Sequence, residues 1–132
     1  MAEEQPSNFL QITPFMHVQD IEPALRFFTD VLGFKILYRT DGPSYSYVER
    51  EGCAFRILQS AEAKYGERDF AYYIDVRDVD KLYAELKPKL DTLPPSHVFG
   101  PKDQSYGQRE LLVRMPDGNV LGFGAAIKKP QP

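Results

Sequence analysis

From Phe9 to Val18 the stretch FLQITPFMHV alternates its side chains in the manner of a strand, and the alternation sets Thr13, Phe15 and His17 on one face. The period changes at Asp20. Beyond it Ile21, Leu25, Phe28 and Leu32 form a stripe at helical spacing, flanked by Ala24, Phe27 and Val31. Asp20 suits the N-cap of that helix, Pro23 fits its first turn, and Gly33 stops it. Three short strand-like runs follow, Phe34 to Tyr38, Ser44 to Glu49 and Ala54 to Leu58, broken at Asp41-Gly42 and Glu51-Gly52.

The same order returns later in the chain. Val18-Gln19-Asp20-Ile21-Glu22 reappears as Val76-Arg77-Asp78-Val79-Asp80, with the apolar run FAYYIDV before the aspartate and the stripe Val79, Leu82, Tyr83 and Leu86 after it. The second helix is expected to end near Lys87, because Pro88 and the Pro94-Pro95 pair oppose its continuation. Strand-like segments near Val98, at Arg109 to Arg114 and at Val120 to Ala125 complete the second copy, the last two joined by a PDGN turn at 116–119. Each copy reads strand, helix, strand, strand, strand. The pattern predicts an α+β fold of two βαβββ modules, about 9–60 and about 68–126, sharing a sheet-lined cavity in a single domain of residues 1–132, with frayed ends at 1–8 and 128–132.

Composition narrows the function classes. A net charge of -3 without a lysine or arginine cluster disfavours a nucleic-acid groove, which needs a basic stripe. No apolar run approaches a membrane span, and MAEEQPSN lacks the basic and apolar blocks of a signal peptide. The single cysteine, Cys53, excludes an internal disulfide and cysteine-cluster zinc sites, so the reducing cytoplasm is the expected location. Cys53 itself reads as a small buried apolar residue, and His97 as a loop residue at the surface.

The two-module pattern, with FFTDVLGF at 27–34, DVDKLYAEL at 78–86 and YGQRELLVRMPDGNVLGF at 106–123, resembles the vicinal oxygen chelate superfamily, which includes glyoxalases, dioxygenases and the bleomycin resistance proteins. The likeness runs from about Phe9 to Phe123 and is greatest to the bleomycin resistance proteins. Enzymes of the superfamily hold a divalent metal through histidine, glutamine or glutamate on strands facing the cavity. The resemblance places those positions at Thr13, Ala71 and Gly122, none of which offers a strong side-chain ligand. His17 shares the face of Thr13 but lies roughly 13 Å along the strand, where Asp75 is the one candidate partner of metal-binding type. The expectation is therefore no metal and no cofactor, with a metal-dependent lyase, isomerase or dioxygenase, or a binder of another small molecule, as the alternatives.

In bleomycin resistance proteins aromatic rings sandwich the flat heteroaromatic end of the drug. The resemblance thus implies that Phe15, Tyr45, Tyr47, Tyr73 and Tyr106 line a binding cleft, with His17 at its rim or at the subunit seam and Arg109 among the ligand-binding candidates. Asp75 shares the face of Tyr73 and would either meet a cation of the ligand or pair with Arg109 or Arg114; Glu110 is a weaker candidate of the same kind. Tyr72, Phe27 and Phe28 are read as core. Pro14 within a strand-like run implies, by the same resemblance, an N-terminal strand that crosses to a partner, giving a homodimer with clefts at its interface. The function so implied is non-catalytic sequestration of a cationic, aromatic-tipped small molecule of the bleomycin class.

Overall fold

A computed structural model describes residues 7–42, 44–60 and 71–127. The chain runs β1 (Phe15–Val18), α1 (Ile21–Arg26), β2 (Lys35–Arg39), β3 (Tyr45–Arg50), β4 (Cys53–Gln59), β5 (Ala71–Asp75), α2 (Val79–Leu90), β6 (Val98–Asp103), β7 (Gln108–Arg114) and β8 (Val120–Ala126). The strands form two four-stranded sheets of matching order, β1-β4-β3-β2 and β5-β8-β7-β6. In each, the first strand lies parallel to the last and the other pairs are antiparallel. This is the expected doublet of βαβββ modules.

Both recurring aspartates cap helices. Asp20 accepts the backbone N–H of Glu22 at 3.1 Å, and Asp78 accepts that of Lys81 at 3.0 Å. The first helix buries its stripe completely: Ile21, Leu25, Phe28 and Leu32 are all at most 2% exposed. Its second half, Phe27–Val31, widens into a π-helical turn in which the N–H of Leu32 reaches the carbonyl of Phe27. Gly33 then ends it at a φ of 75°.

The second helix does not stop at Lys87. It passes through Pro88 and ends at Leu90. The carbonyl that Pro88 leaves without a donor is that of Ala84, an exposed residue where water can serve it, while Leu86 and Leu90 stay buried and hold the last turn to the core. Tertiary burial outweighs a local penalty of about 3 kcal/mol.

One apolar cluster spans both modules. Phe28 packs on Phe34 and Phe55 with ring centroids 5.1 and 5.5 Å apart, and Tyr72 of β5 meets Phe55 edge-on at 5.6 Å. Tyr72 also donates its hydroxyl to the carbonyl of Phe15, and the Asn119 amide donates to that of His17. The edge of the first sheet is thereby tied to the second module.

Two expectations fail on burial. Cys53 is exposed, because it opens β4 directly after the Glu51-Gly52 turn, where both residues take positive φ. His97 is half-buried in a short 3-10 turn at Pro95–His97, and its Nδ1 is sealed from solvent without a partner among the described residues.

Candidate functional site

Strand alternation builds two open aromatic faces. On the first sheet, Met16, Val18, Val48, Phe55 and Ile57 point to the core, so their neighbours point out. The register aligns Phe15, Arg56, Tyr47 and Tyr38 in one row across four strands, and His17, Leu58 and Tyr45 in the next. Phe15 and Tyr38 are 51% and 57% exposed. The guanidinium of Arg56 lies 5.0 Å from the Tyr47 ring centroid and donates to the Tyr45 hydroxyl at 2.6 Å. Gln11 donates to the Tyr47 hydroxyl at 2.8 Å.

Tyr38 and Arg56 are additions to the residues expected from sequence. The register of β2 shifts between Ile36 and Tyr38, which brings Tyr38 beside Tyr47 and puts its ring 6.1 Å from that of Tyr45. Nothing in the sequence marks that bulge. Arg56 was legible from its position between Phe55 and Ile57, both of which face the core.

On the second sheet the rows are Tyr73, Gly122, Leu112, Phe99 and Asp75, Gly124, Glu110, Lys102. Tyr73 lies flat across the two bare glycines: a Cβ on Gly122 would stand 2.8 Å from its ring, and one on Gly124 1.7 Å from its hydroxyl. That hydroxyl donates to Glu110 Oε2 at 3.3 Å, and the hydroxyl of Tyr106, from the turn before β7, donates to the same oxygen. The Tyr73 phenol is pushed up to about 12, first by burial of its hydroxyl end and then by the Glu110 charge. Tyr106 is raised as well, chiefly by its hydrogen bond to Glu110.

With this fold and these faces in view, the sequence pattern of the Glyoxalase/Bleomycin resistance protein/Dioxygenase superfamily matches residues 10–123. The chain belongs to this superfamily. It is 30% identical over 133 positions to a bleomycin resistance protein of Geobacillus stearothermophilus, covering 90% of this chain and 98% of that one, and equally to one of Staphylococcus aureus strain MRSA252. Among solved structures, a bleomycin-binding protein from the bleomycin-producing Streptomyces verticillus, complexed with copper(II)-bleomycin, aligns with a TM-score of 0.74 at 23% identity, over 94% of this chain and 100% of that chain. A lactoylglutathione lyase from Agrobacterium tumefaciens aligns at 0.63 with 13% identity, over 90% and 96%. The structural likenesses establish the fold of the superfamily here.

Within that fold the expected site residues separate. Phe15, His17, Tyr45 and Tyr47 share the open face of the first sheet, while Tyr73, Asp75 and Tyr106 gather on that of the second. Arg109 stands apart. Alternation along β7 sends Glu110 and Leu112 outward and Arg109 to the helix side, where it pairs with Asp80 of α2 at 2.9 Å and with Asp103 at 3.0 Å. Those two carboxylates hold its guanidinium pKa above the ordinary value. Of the two readings of Asp75, pairing with Arg109 is therefore not formed, and Arg114 donates to the carbonyl of Gly118.

Of the positions that the resemblance assigns to metal ligands, Gly122 lies beneath the Tyr73 ring and Thr13 accepts a hydrogen bond from Gln11. Among the described residues no three of histidine, cysteine, aspartate and glutamate come together as a metal set. A cleft of about 600 Å³ opens elsewhere, between α2 and the β3–β4 turn. Arg50 spans it, bound to Glu85, Glu51 and the Leu32 carbonyl, and of the expected site residues only Asp75 reaches it. None of the described helices is long and apolar enough to cross a membrane.

Proposed function

We propose that the protein sequesters a cationic, aromatic-tipped small molecule of the bleomycin class without chemically altering it. The observation that carries this reading is the pair of open aromatic faces. Rings that cost free energy when left in water, among them Phe15 at 51% and Tyr106 at 64% exposure, are concentrated on two sheet faces and surrounded by hydrogen-bonding groups. Stacking surfaces with a polar surround are what a planar heteroaromatic ligand requires. Kinship at 30% identity with bleomycin resistance proteins, across nearly the whole of both chains, supports the choice of ligand. Asp75, exposed beside Tyr73, supplies negative charge for the ligand's cationic groups.

The working form is a homodimer. Phe9, Leu10 and Ile12 precede the edge strand β1 at 92%, 90% and 93% exposure, an apolar arm with no cover of its own. Laid on a second copy, the arm would be buried and an open face of each chain would gain an opposite wall. A free, exposed Cys53 suits a reducing compartment, and action in the cytoplasm is part of the proposal.

Calorimetric titration with metal-free and copper-loaded bleomycin, with elemental analysis of the protein as isolated, tests the reading. Saturable binding in proportion to protein chains supports it. Absence of heat with both forms, or conversion of the ligand, rejects it.

A further inference from the structure

The open face of the second sheet contains a carboxylate for which stacking alone has no use. Glu110 is 7% exposed, and among the described residues no lysine or arginine pairs with it. Lys102, its cross-strand neighbour on β6, is exposed and forms no ion pair with it among the described residues. A buried anion lacking a counter-cation needs hydrogen-bond donors. Glu110 has two, the phenols of Tyr73 and Tyr106, and both meet the same oxygen.

We propose that Glu110 is the positioning residue of the binding surface: by accepting both phenols it holds Tyr73 flat on the glycines of β8 and Tyr106 beside it before any ligand arrives. This rests on the sequestration reading and adds the device that makes the surface specific. An exposed tyrosine on an open sheet otherwise samples several rotamers, and the ligand would have to fix it at an entropic cost. Hydroxyl-to-carboxylate bonds are of the stronger, charge-assisted kind, and two on one oxygen couple the rings so that neither moves alone. Gly122 and Gly124 complete the arrangement, because any side chain there would occupy the space of the ring. The ligand that fits is planar, stacks parallel to the sheet, and needs no contact with Glu110 itself.

Glu110→Ala and Glu110→Gln separate positioning from charge, since the amide oxygen of glutamine still accepts phenols. Copper-loaded bleomycin should bind Glu110→Ala roughly tenfold more weakly than the parent and Glu110→Gln within about threefold of it. Equal weakening of both variants, or none in the alanine variant, overturns the proposal. Ultraviolet titration of the phenols needs no ligand: the Tyr73 hydroxyl, faced by Glu110, Tyr106 and Asp75, should titrate below its parent value of about 12 in the alanine variant. If the parent fails to bind bleomycin, the sequestration reading falls, and this titration still decides the positioning role; an unchanged phenol titration overturns it. Should Glu110→Ala not fold, Tyr73→Phe cuts the same bond from the other end and should weaken binding severalfold while keeping the ring.

Discussion

The hydroxyl of Tyr73 sits 1.7 Å from where a Cβ on Gly124 would stand, so the flat pose of the ring and the absence of a side chain on β8 are one feature. Because the colliding atom is the far end of the side chain of a residue that is 43% exposed, Tyr73 can swing off the sheet if Gly124 changes. Gly124→Ala should therefore fold, with stability within about 1 kcal/mol of the parent, and bind bleomycin roughly tenfold more weakly. Paired thermal melts and calorimetry would check it; unchanged affinity would show that the flat pose is irrelevant to binding.

The N-terminal arm makes a separate claim. Removing residues 1–13 takes away Phe9, Leu10 and Ile12, and with them the apolar surface proposed to cross between copies. Light scattering after size exclusion should report monomers or aggregates in place of a dimer. A well-behaved dimer of the shortened chain would reject arm exchange.

Alkaline pH should weaken the fold through Tyr73. Its phenol keeps its proton in the native state up to about 12, whereas an unfolded tyrosine loses it near 10. Below that window both states are protonated and the full stability is present; across it the unfolded chain binds fewer protons, so stability falls as pH rises. Urea midpoints should drop from about pH 10 to about pH 12, and Tyr73→Phe should make that drop shallower.

Cys53 offers a quick check of strand placement. As an exposed residue at the start of β4, it should react with a disulfide reagent in the native protein without denaturant. Protection until unfolding would contradict the β3–β4 turn described here.

Helix capping supplies a stability prediction far from the open faces. The Asp78 carboxylate serves the N–H of Lys81, and Asp78→Ala should cost about 1 kcal/mol. Bleomycin affinity should not change, which denaturant and titration curves together would establish.

Much of this protein follows from the order of its residues. Period-two and period-3.6 patterns, the two capping aspartates and the repeated module are local properties, and each appears in the structure near its expected place because short-range sterics and one-sided burial act over a few residues. Alternation also paired Phe15 with His17 and Tyr73 with Asp75 on common strand faces, although it was one shared cavity that those faces were expected to line, not two separate open faces. What remained depended on partners distant in the chain. The continuation of α2 past Pro88 needed Leu90 in the common core, the arrival of Tyr38 beside Tyr47 needed a bulge that no residue type announces, and the commitment of Arg109 to Asp80 needed the packing of α2 on the second sheet. Above all, Tyr73, Tyr106 and Glu110 meet only because β5 and β7 flank a strand that is bare at Gly122 and Gly124. Sequence sets which face a side chain takes, through the geometry of its own strand; which groups it meets there is decided by strand order and register, which long-range burial selects.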